Sequence, residues 1–443
     1  MYRETAKLIL YRDLGEDSIL LKLSGIFEDF ELKRAGNAEL TTRIYEQMKA
    51  LLDLSTQYGF DKNLWHNYLT FILLTNENSF SMTSEKVGAN DGTVNHFAKG
   101  DFAVFKRLFD FDFSPIEEAL GIDCFTTVCH YRAIPKKERM YNRNVSEKVQ
   151  AVSEKIEQAK DENEIFDIIT DFYAAYGVGM FGLNRAFRIR HLEDGVEFLP
   201  INNTDRVVLS DLIGYEIQKK KLIDNTEAFI KGLPCNNVLL CGDAGTGKST
   251  SIKALLNEYY DRGLRMIEIY KHQFQDLSNI IAQVKNRNYR FIIYMDDLSF
   301  EEFEIEYKYL KAVIEGGLER KPDNVLIYAT SNRRHLIREQ FGDNMEGNIG
   351  KPGELHATHG GDLHVSDTVQ EKLSLSSRFG VTIYFGSPDK KQFQNIVRTL
   401  AERYGITMPE DELLAEANKW ELSHGGLSGR TAVQFVDYIS AMQ

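Results

Sequence analysis

The sequence predicts an α/β fold in which a five-stranded parallel sheet is preceded by a mainly helical N-terminal domain and followed by a small helical segment. From Met1 to about Phe187, apolar residues recur every three to four positions, which is typical of helices. Strand-like apolar runs then alternate with helical stretches, which indicates parallel strands with helices on both faces. The five runs are Asn237–Cys241, Leu264–Tyr270, Arg290–Met295, Asn324–Ala329 and Val381–Phe385.

Helical spacing outside these runs suggests the domain limits. Amphipathic helices are predicted at Thr42–Tyr58, Phe102–Phe109 and Val145–Ala175, and again at Lys390–Tyr404, Glu410–Trp420 and Gly429–Met442. A short extended stretch, Val196–Ile201, separates the helical and the alternating patterns. We therefore expect an N-terminal helical domain at 1–187, an extended linker at 188–210, an α/β domain at 211–387 and a helical subdomain at 388–443.

The composition is typical of a globular cytoplasmic protein. A chain of 443 residues with 43% hydrophobic and 27% charged residues is expected to form two or three domains. The net charge of −13 argues against a broad basic surface for duplex DNA but does not exclude a local patch. Four cysteines suggest a reducing compartment, and the N-terminus lacks the apolar core of a signal peptide. The most apolar stretch, around Leu69–Leu74, is far too short to span a membrane.

A phosphate-binding loop follows the first predicted strand. The run Gly242-Asp243-Ala244-Gly245-Thr246-Gly247-Lys248-Ser249 has the Walker A spacing, with a strand before it and a helix after it. Its glycines let backbone N–H groups converge on a β-phosphate, and the helix N-terminus adds partial positive charge. Lys248 is expected to reach the β- and γ-phosphates, and Ser249 to bind Mg²⁺. These residues predict binding of a nucleoside triphosphate.

Two acids follow the third predicted strand. Asp296 and Asp297 have the Walker B arrangement, in which the first acid holds the Mg²⁺ shell and the second polarises the attacking water. The second residue is Glu in many ATPases, and Asp297 is one methylene shorter, which argues against fast hydrolysis. Glu301 and Glu302 lie just beyond; they are expected to be solvated acids at a helix start, although either could replace Asp297.

These motifs, in this order, resemble the AAA+ superfamily of ATPases. Asn332, after the fourth predicted strand, resembles the sensor 1 amide that orients the hydrolytic water and senses the γ-phosphate. The segment Asp211–Glu216 resembles the one that wraps the adenine. The resemblance implies ATP and Mg²⁺ as cofactors, with Mg²⁺ held by Ser249 and Asp296. The residues expected to bind the nucleotide are Ile213, Gly214, Gly242, Asp243, Ala244, Gly245, Thr246, Gly247, Lys248, Ser249, Thr250 and Arg430.

Two arginines complete this resemblance. Arg378, in the run Leu375–Phe379, resembles the arginine finger, which AAA+ proteins supply from a neighbouring subunit to the developing γ-phosphate charge. It therefore implies a homo-oligomer. Arg333 and Arg334 are rival candidates for the finger. Arg430, which opens the last predicted helix, resembles sensor 2 in a helical lid.

A narrower resemblance covers a little over half of the chain. The runs Leu255–Tyr259, Asp296–Glu301 and Ala329–Leu336 resemble the bacterial domain-of-unknown-function-815 family, whose members are predicted AAA+ ATPases. This implies ATP binding without naming a substrate. The Asp-Asp pair and the Ser-Arg-Phe motif also resemble replication initiators and helicase loaders.

Three other patterns have competing interpretations. The polar stretch 341–367 contains Glu354, His356, His359, Asp362 and His364, which could bind a metal but are expected to belong to a mobile functional loop. The run Gly177–Gly182 matches a dinucleotide fingerprint but follows a helical pattern, so we expect a linker between domains. Cys124 and Cys129 have no second cysteine pair to complete a zinc site and are expected to be buried thiols.

Three functions are compatible with this sequence. The first is an oligomeric AAA+ ATPase that remodels a protein or nucleic-acid partner held by the N-terminal domain. The second is a slow ATP-dependent switch or loader acting on a nucleic-acid complex, which Asp297 favours and the net charge disfavours. The third, a small-molecule P-loop kinase, leaves the sensor and lid motifs without a role.

Overall fold

The computed structural model describes residues 1–134, 141–193, 195–298, 305–315, 322–332 and 378–442. The chain divides into two compact units. The first unit comprises Met1–Ala186 and Pro200–Thr204, and the second comprises Phe187–Leu199 and Asp205–Gln443. Among the described residues, no helix combines the length and the apolar character needed to cross a membrane.

The first unit is built from helices around one apolar core. Trp65, Phe102 and Phe105 are buried in that core, and two buried tyrosines, Tyr11 and Tyr173, share a hydrogen bond of 2.8 Å there. The helices are α1 (Tyr2–Thr5), α2 (Ile19–Glu31), α3 (Asn37–Tyr58), α4 (Leu64–Thr75), α5 (Ser79–Val87), α6 (Thr93–Phe109), α7 (Ser114–Leu120), α8 (Cys124–Cys129), α9 (Arg143–Gln158), α10 (Glu162–Tyr176) and α11 (Gly179–Leu183).

Two of the patterns with competing interpretations lie in this unit. The run Gly177–Gly182 starts directly after α10 and continues into α11, so a helix precedes it where a dinucleotide site needs a strand. A Cβ on Gly182 would lie 2.5 Å from the carbonyl oxygen of Gly177. The backbone therefore packs too closely here for any residue other than glycine. Cys124 and Cys129 are the two ends of α8, and burial raises the pKa of each thiol to about 11.

The second unit contains a seven-stranded sheet with the order β2-β1-β4-β5-β6-β3-β7. Strands β4, β5, β6, β3 and β7 pair in parallel in that sequence. The expectation of five strands was therefore too low. The strands are β1 (Ala186–Leu192), β2 (Gly195–Pro200), β3 (Val238–Gly242), β4 (Leu264–Ile269), β5 (Arg290–Met295), β6 (Val325–Ser331) and β7 (Val381–Phe385).

The two additional strands differ from the central ones in burial. Every residue of β3 and β6 is buried, which gives continuous apolar runs, whereas most of β1 and β2 is exposed or half-buried. Strand β1 carries Arg188, Arg190 and His191. A strand at the margin of a sheet keeps polar residues in solvent, so it lacks the apolar run on which the sequence prediction relied.

Helices cover the sheet and form a C-terminal bundle. Helices α12 (Glu216–Ile230), α13 (Lys248–Tyr259), α14 (Leu277–Val284) and α15 (Ile305–Glu315) are interleaved with the strands, and 3₁₀ turns lie at Leu209–Asp211, Tyr260–Arg262 and Lys271–Asp276. The bundle consists of α16 (Lys390–Tyr404), α17 (Glu410–Ser423) and α18 (Gly429–Ser440). Phe393, Val397, Ala417 and Phe435 form its core. We call this bundle the lid.

Strand register brings the predicted motifs to one edge of the sheet. Strand β3 lies between β6 and β7, with Cys241 opposite Ser331 on one side and Gly242 opposite Phe385 on the other. Met295 on β5 lies opposite Ala329 on β6. Because these strands are parallel, their carboxyl ends share one edge, where ligands of open α/β sheets bind.

Candidate functional site

The loop between β3 and α13 has a backbone that requires its glycines. Gly242, Gly245 and Gly247 have φ values of +133°, +73° and +88°. A Cβ on Gly242 would collide with the carbonyl oxygen of Phe385, and a Cβ on Gly247 would lie 2.9 Å from a methyl carbon of Leu212. The chain thus passes tightly from strand to helix, and the N-terminus of α13 faces the carboxyl edge of the sheet.

Lys248, the first residue of α13, folds back over this loop. Its Nζ donates hydrogen bonds to the carbonyl oxygens of Gly242 (3.2 Å) and Asp243 (2.6 Å), and the side chain is buried. Burial lowers the pKa of the Lys248 ammonium below its ordinary value, a shift that the carboxylate of Asp243 only partly offsets. A cation is therefore held at the phosphate-binding loop.

Asp243 ties the loop to the chain that follows β7. Its carboxylate accepts hydrogen bonds from the backbone N–H (2.8 Å) and the hydroxyl (2.7 Å) of Ser387, and its own N–H donates to Phe385. Within the loop, the buried Thr246 donates its hydroxyl hydrogen bond to the Asp243 carbonyl oxygen. These bonds fix the loop without using the backbone N–H groups of its glycines.

Ser249 and Asp296 meet although they are 47 residues apart in sequence. The Ser249 hydroxyl donates to Oδ1 of Asp296 at 2.7 Å, and the Thr330 hydroxyl donates to the same oxygen at 2.6 Å. Burial alone would raise the pKa of Asp296, but the hydrogen bonds from Thr330 and Ser249 outweigh it and lower the pKa below its ordinary value. The carboxylate is therefore kept in its charged form.

This pair of oxygen donors fits a magnesium ion. Mg²⁺ prefers hard oxygen ligands, keeps several waters, and in phosphate sites uses one or two protein side chains together with phosphate oxygens. A serine hydroxyl and a charged carboxylate 2.7 Å apart, beside a lysine aimed at the phosphate-binding loop, supply the two protein donors. Ser249 and Asp296 are thus the residues that would hold the ion.

Asp297 has an unusual backbone and contacts the predicted sensor amide. Its φ is +51°, a left-handed conformation that is uncommon outside glycine and is often found at functional sites. Its carboxylate accepts a hydrogen bond of 2.8 Å from Nδ2 of Asn332. Its backbone N–H donates to the Thr330 hydroxyl at 2.9 Å. The structure therefore brings Asp296, Asp297 and Asn332 together.

A buried tyrosine lies beside this cluster. Tyr294 precedes Asp296 by two residues on β5, and its side chain is 1% exposed. Its hydroxyl is buried, and within the described part of the chain it has no hydrogen-bond partner of good geometry. Burial raises the pKa of Tyr294 well above its ordinary value, so the phenol stays protonated.

The segment before α12 contacts both the phosphate-binding loop and the lid. Leu212 packs against Gly247, and Ile213 packs against the apolar core of the lid. Gly214 has a φ of +81° and Tyr215 a φ of +59°, so the chain turns sharply here. The Tyr215 ring lies 5.2 Å from the Phe385 ring, and its hydroxyl donates to the Gly386 carbonyl oxygen at 2.8 Å.

The N-terminus of α18 packs on the phosphate-binding loop. The backbone N–H of Arg430 donates to the carbonyl oxygen of Gly245 at 3.1 Å. A Cβ on Gly245 would lie 2.9 Å from the Ser428 hydroxyl oxygen and 3.1 Å from Cβ of Arg430. The predicted nucleotide ligand Arg430 thus starts next to the loop, and its side chain is exposed.

Several predicted residues cannot be placed together with this cluster. Arg378 is half-buried and lies three residues before β7, next to the buried Phe379. The rival arginines, the two glutamates after the Walker B acids and the histidine-rich stretch lie outside the described residues; they are Arg333, Arg334, Glu301, Glu302, Glu354, His356, His359, Asp362 and His364.

Some residues of the site have no individual role that the sequence predicts. Thr330 bridges the two acids, Leu212 and Tyr215 shape the turn beside the loop, and Ser387 and Ser428 contact the loop from the chain after β7 and from the lid. Thr330, Leu212 and Tyr215 lie inside segments that the sequence singles out, but their residue types do not predict these contacts. The other contacts depend on tertiary packing, for which no local sequence signal exists.

Residues 183–443 match the family profile described as "Protein of unknown function (DUF815)". The chain belongs to this family. The match confirms the predicted resemblance to DUF815. A comparison with curated proteins found no match.

Solved structures of the RuvB protein from Thermotoga maritima are similar to part of the chain. Two RuvB mutants match 53% of this chain at 16% and 17% sequence identity, with TM-scores of 0.36 and 0.35. A third structure, titled a RuvB Holliday junction branch migration motor, matches 52% at 14% identity with a TM-score of 0.31. The matches cover 66%, 65% and 72% of the RuvB chains, so the chain spans slightly under two thirds of the first two.

Proposed function

We propose that the chain is an AAA+ type ATPase that binds ATP with Mg²⁺ and hydrolyses it at subunit interfaces to remodel or reposition a macromolecular partner. One observation carries the proposal. The serine of the phosphate-binding loop and the first acid after β5 meet at 2.7 Å, at the carboxyl edge of the sheet, where Lys248 also lies. If the hydrogen bond between Ser249 and Asp296 only stabilised the fold, it would need neither the glycines of the loop nor the buried lysine beside it.

Each residue of the cluster has a place in this chemistry. The N–H groups of the loop and Lys248 would bind the phosphates, and Ser249 and Asp296 would hold Mg²⁺, which would neutralise charge on the β- and γ-oxygens. Asp297, held by Asn332 at 2.8 Å, would polarise the attacking water. The turn at Ile213 and Gly214 would enclose the base.

Two arginines act on the γ-phosphate in this proposal. Arg378 would reach the site of a neighbouring subunit, which is the reason for proposing a homo-oligomer. Arg430 starts beside Gly245 and would close over the nucleotide from the lid. Both roles rest on the AAA+ resemblance. The partner, a protein or a nucleic acid, would be held by the N-terminal unit.

A second function has one observation in its favour. Asp297 is shorter than glutamate, and its carboxylate already accepts a hydrogen bond from Asn332. An acid placed in this way favours tight ATP binding with slow turnover, as in a nucleotide-dependent switch or loader that acts on a nucleic-acid complex. The rate of turnover distinguishes the two functions, because both require the same nucleotide site.

Nucleotide binding tests the shared basis of both functions. We expect wild-type protein to bind ATP with Mg²⁺ in a calorimetric titration, and Lys248→Ala to abolish detectable binding, because a buried cation would be lost from the phosphate site. Lys220→Ala is the matched control. Lys220 is an exposed lysine whose partner is Asp224 on the same helix, so its removal should leave affinity unchanged. Equal binding by both variants would refute the assigned site.

A further inference from the structure

Thr330 contacts three consecutive residues at the end of β5. Its hydroxyl donates to the carboxylate of Asp296 at 2.6 Å and accepts from the backbone N–H of Asp297 at 2.9 Å. Its carbonyl oxygen accepts from the backbone N–H of Leu298 at 2.6 Å. The side chain is 2% exposed, so water does not compete for these bonds.

The chemistry of the partners fixes the direction of both hydroxyl bonds. A backbone N–H can only donate, so the Thr330 oxygen accepts from Asp297. A charged carboxylate can only accept, so the single hydroxyl proton of Thr330 is directed at Asp296. Reversing either bond would place two donors or two acceptors against each other. The hydroxyl therefore holds Asp296 through its proton and the backbone of Asp297 through its lone pair.

The hydrogen bonds that Thr330 accepts from the backbone N–H groups of Asp297 and Leu298 determine where the Asp297 carboxylate points. The φ of +51° at this residue turns the chain abruptly after the strand, and the two backbone N–H groups held by Thr330 lie on either side of that turn. In this conformation the Asp297 side chain reaches Asn332 at 2.8 Å. A short side chain such as aspartate has little reach of its own, so the backbone turn sets its position.

We infer that Thr330 is a positioning residue that holds both acids of the site, Asp296 for the metal and Asp297 for the attacking water. This inference rests on the proposed function, because it assigns a role within the same site. It predicts that removing the hydroxyl weakens the contribution of Mg²⁺ to nucleotide binding and slows turnover, while the phosphate-binding loop continues to bind ATP without metal.

The test compares Thr330→Val with Thr330→Ser in the full-length chain. Valine keeps the branched shape of threonine and its preference for strands but lacks the hydroxyl, whereas serine keeps the hydroxyl. ATP affinity is measured by titration with and without Mg²⁺, and turnover is measured by phosphate release. We expect Thr330→Val to lose most of the Mg²⁺-dependent gain in affinity and about a hundredfold in turnover. Thr330→Ser should stay within about threefold of wild type in both.

A second buried threonine provides the control for stability. Thr226 is fully buried on α12, where its hydroxyl bonds to the Leu222 carbonyl oxygen at 2.8 Å and to the Tyr328 hydroxyl at 2.9 Å. Thr226→Val removes a buried hydroxyl with two hydrogen-bond partners, as Thr330→Val does. Neither partner of Thr226 is one of the two acids of the site. Thr226→Val should lower the melting temperature to a similar extent and leave the Mg²⁺-dependent affinity unchanged.

The outcomes separate this inference from the proposed function. If Thr330→Val keeps the Mg²⁺-dependent gain of wild type, or if Thr330→Ser loses it equally, Thr330 is not a positioning residue, although the ATPase proposal stands. If wild type binds ATP with a Mg²⁺-dependent gain but shows no turnover, hydrolysis is refuted and the affinity measurement still decides on Thr330. If wild type binds no nucleotide, both ideas are wrong.

Discussion

At the residue scale, the site depends on one carboxylate that two hydroxyl groups hold in its charged form, because Ser249 and Thr330 both donate hydrogen bonds to Asp296. The approach of Ser249 to Asp296 follows from two motifs whose spacing has a chemical reason. Thr330 could not be recognised in the same way, because threonine is an ordinary residue of a buried strand. The left-handed backbone of Asp297 is equally hidden, because aspartate adopts other conformations more readily.

The pKa of Lys248 leads to a prediction at this scale. Burial lowers this pKa below the ordinary lysine value, and only the charged ammonium attracts phosphate. ATP affinity should therefore be constant near neutral pH and fall as the pH rises through the lowered pKa, before an ordinary lysine would lose its proton. Titrations of ATP at several alkaline pH values, with circular dichroism as a check on folding, measure this. Affinity that stays constant until ordinary lysines titrate would contradict it.

At the element scale, the central strands are predictable and the margin of the sheet is not. Strands β3 and β6 are buried throughout, so their sequences are continuous apolar runs between turns. The exposed polar residues of β1 interrupt any apolar run, and the sequence predicts β2 only as an extended stretch, Val196–Ile201, outside the sheet. The contact of α18 with the phosphate-binding loop depends on how two distant segments pack, which local patterns do not encode.

A pair of glycine substitutions tests that contact. Gly245→Ala would place a methyl group against Ser428 and Arg430, at a φ of +73°. The matched control is Gly405→Ala, at the end of α16, where φ is +68° and no atom of the described residues lies within 4 Å of the added Cβ. The backbone penalty is the same in both variants, about 1 to 2 kcal/mol, so any further loss of stability in Gly245→Ala comes from the contacts with Ser428 and Arg430.

Only one of the two variants should lose nucleotide affinity. Gly245→Ala should weaken ATP binding by about tenfold or more, equivalent to about 1.4 kcal/mol, because it disturbs the loop and the lid end that packs on it. Gly405→Ala should bind ATP as wild type does. Thermal melting and calorimetric titration of the two proteins provide the comparison. Equal affinity in both variants would mean that the contact between the loop and α18 has no part in nucleotide binding.

At the scale of the whole molecule, the sequence indicates a nucleotide-binding unit more clearly than a partner. The family match covers residues 183–443, and the predicted motifs lie in the same range. The helical first unit has an apolar core, but among its described residues no buried side chain carries chemistry that identifies what the unit binds. Core residues report packing, whereas recognition depends on surface residues whose patterns are not specific.

We propose that ATP is hydrolysed at sites shared between subunits. The most direct test of this claim is the turnover of ATP per subunit, measured over a wide range of protein concentration in the presence of Mg²⁺. We expect the specific activity to rise with concentration until assembly is complete, and Arg378→Ala to bind ATP but to remove that rise, because the arginine would act on a neighbour's γ-phosphate. Specific activity that is independent of concentration, or an assembled Arg378→Ala protein with wild-type turnover, would contradict the claim.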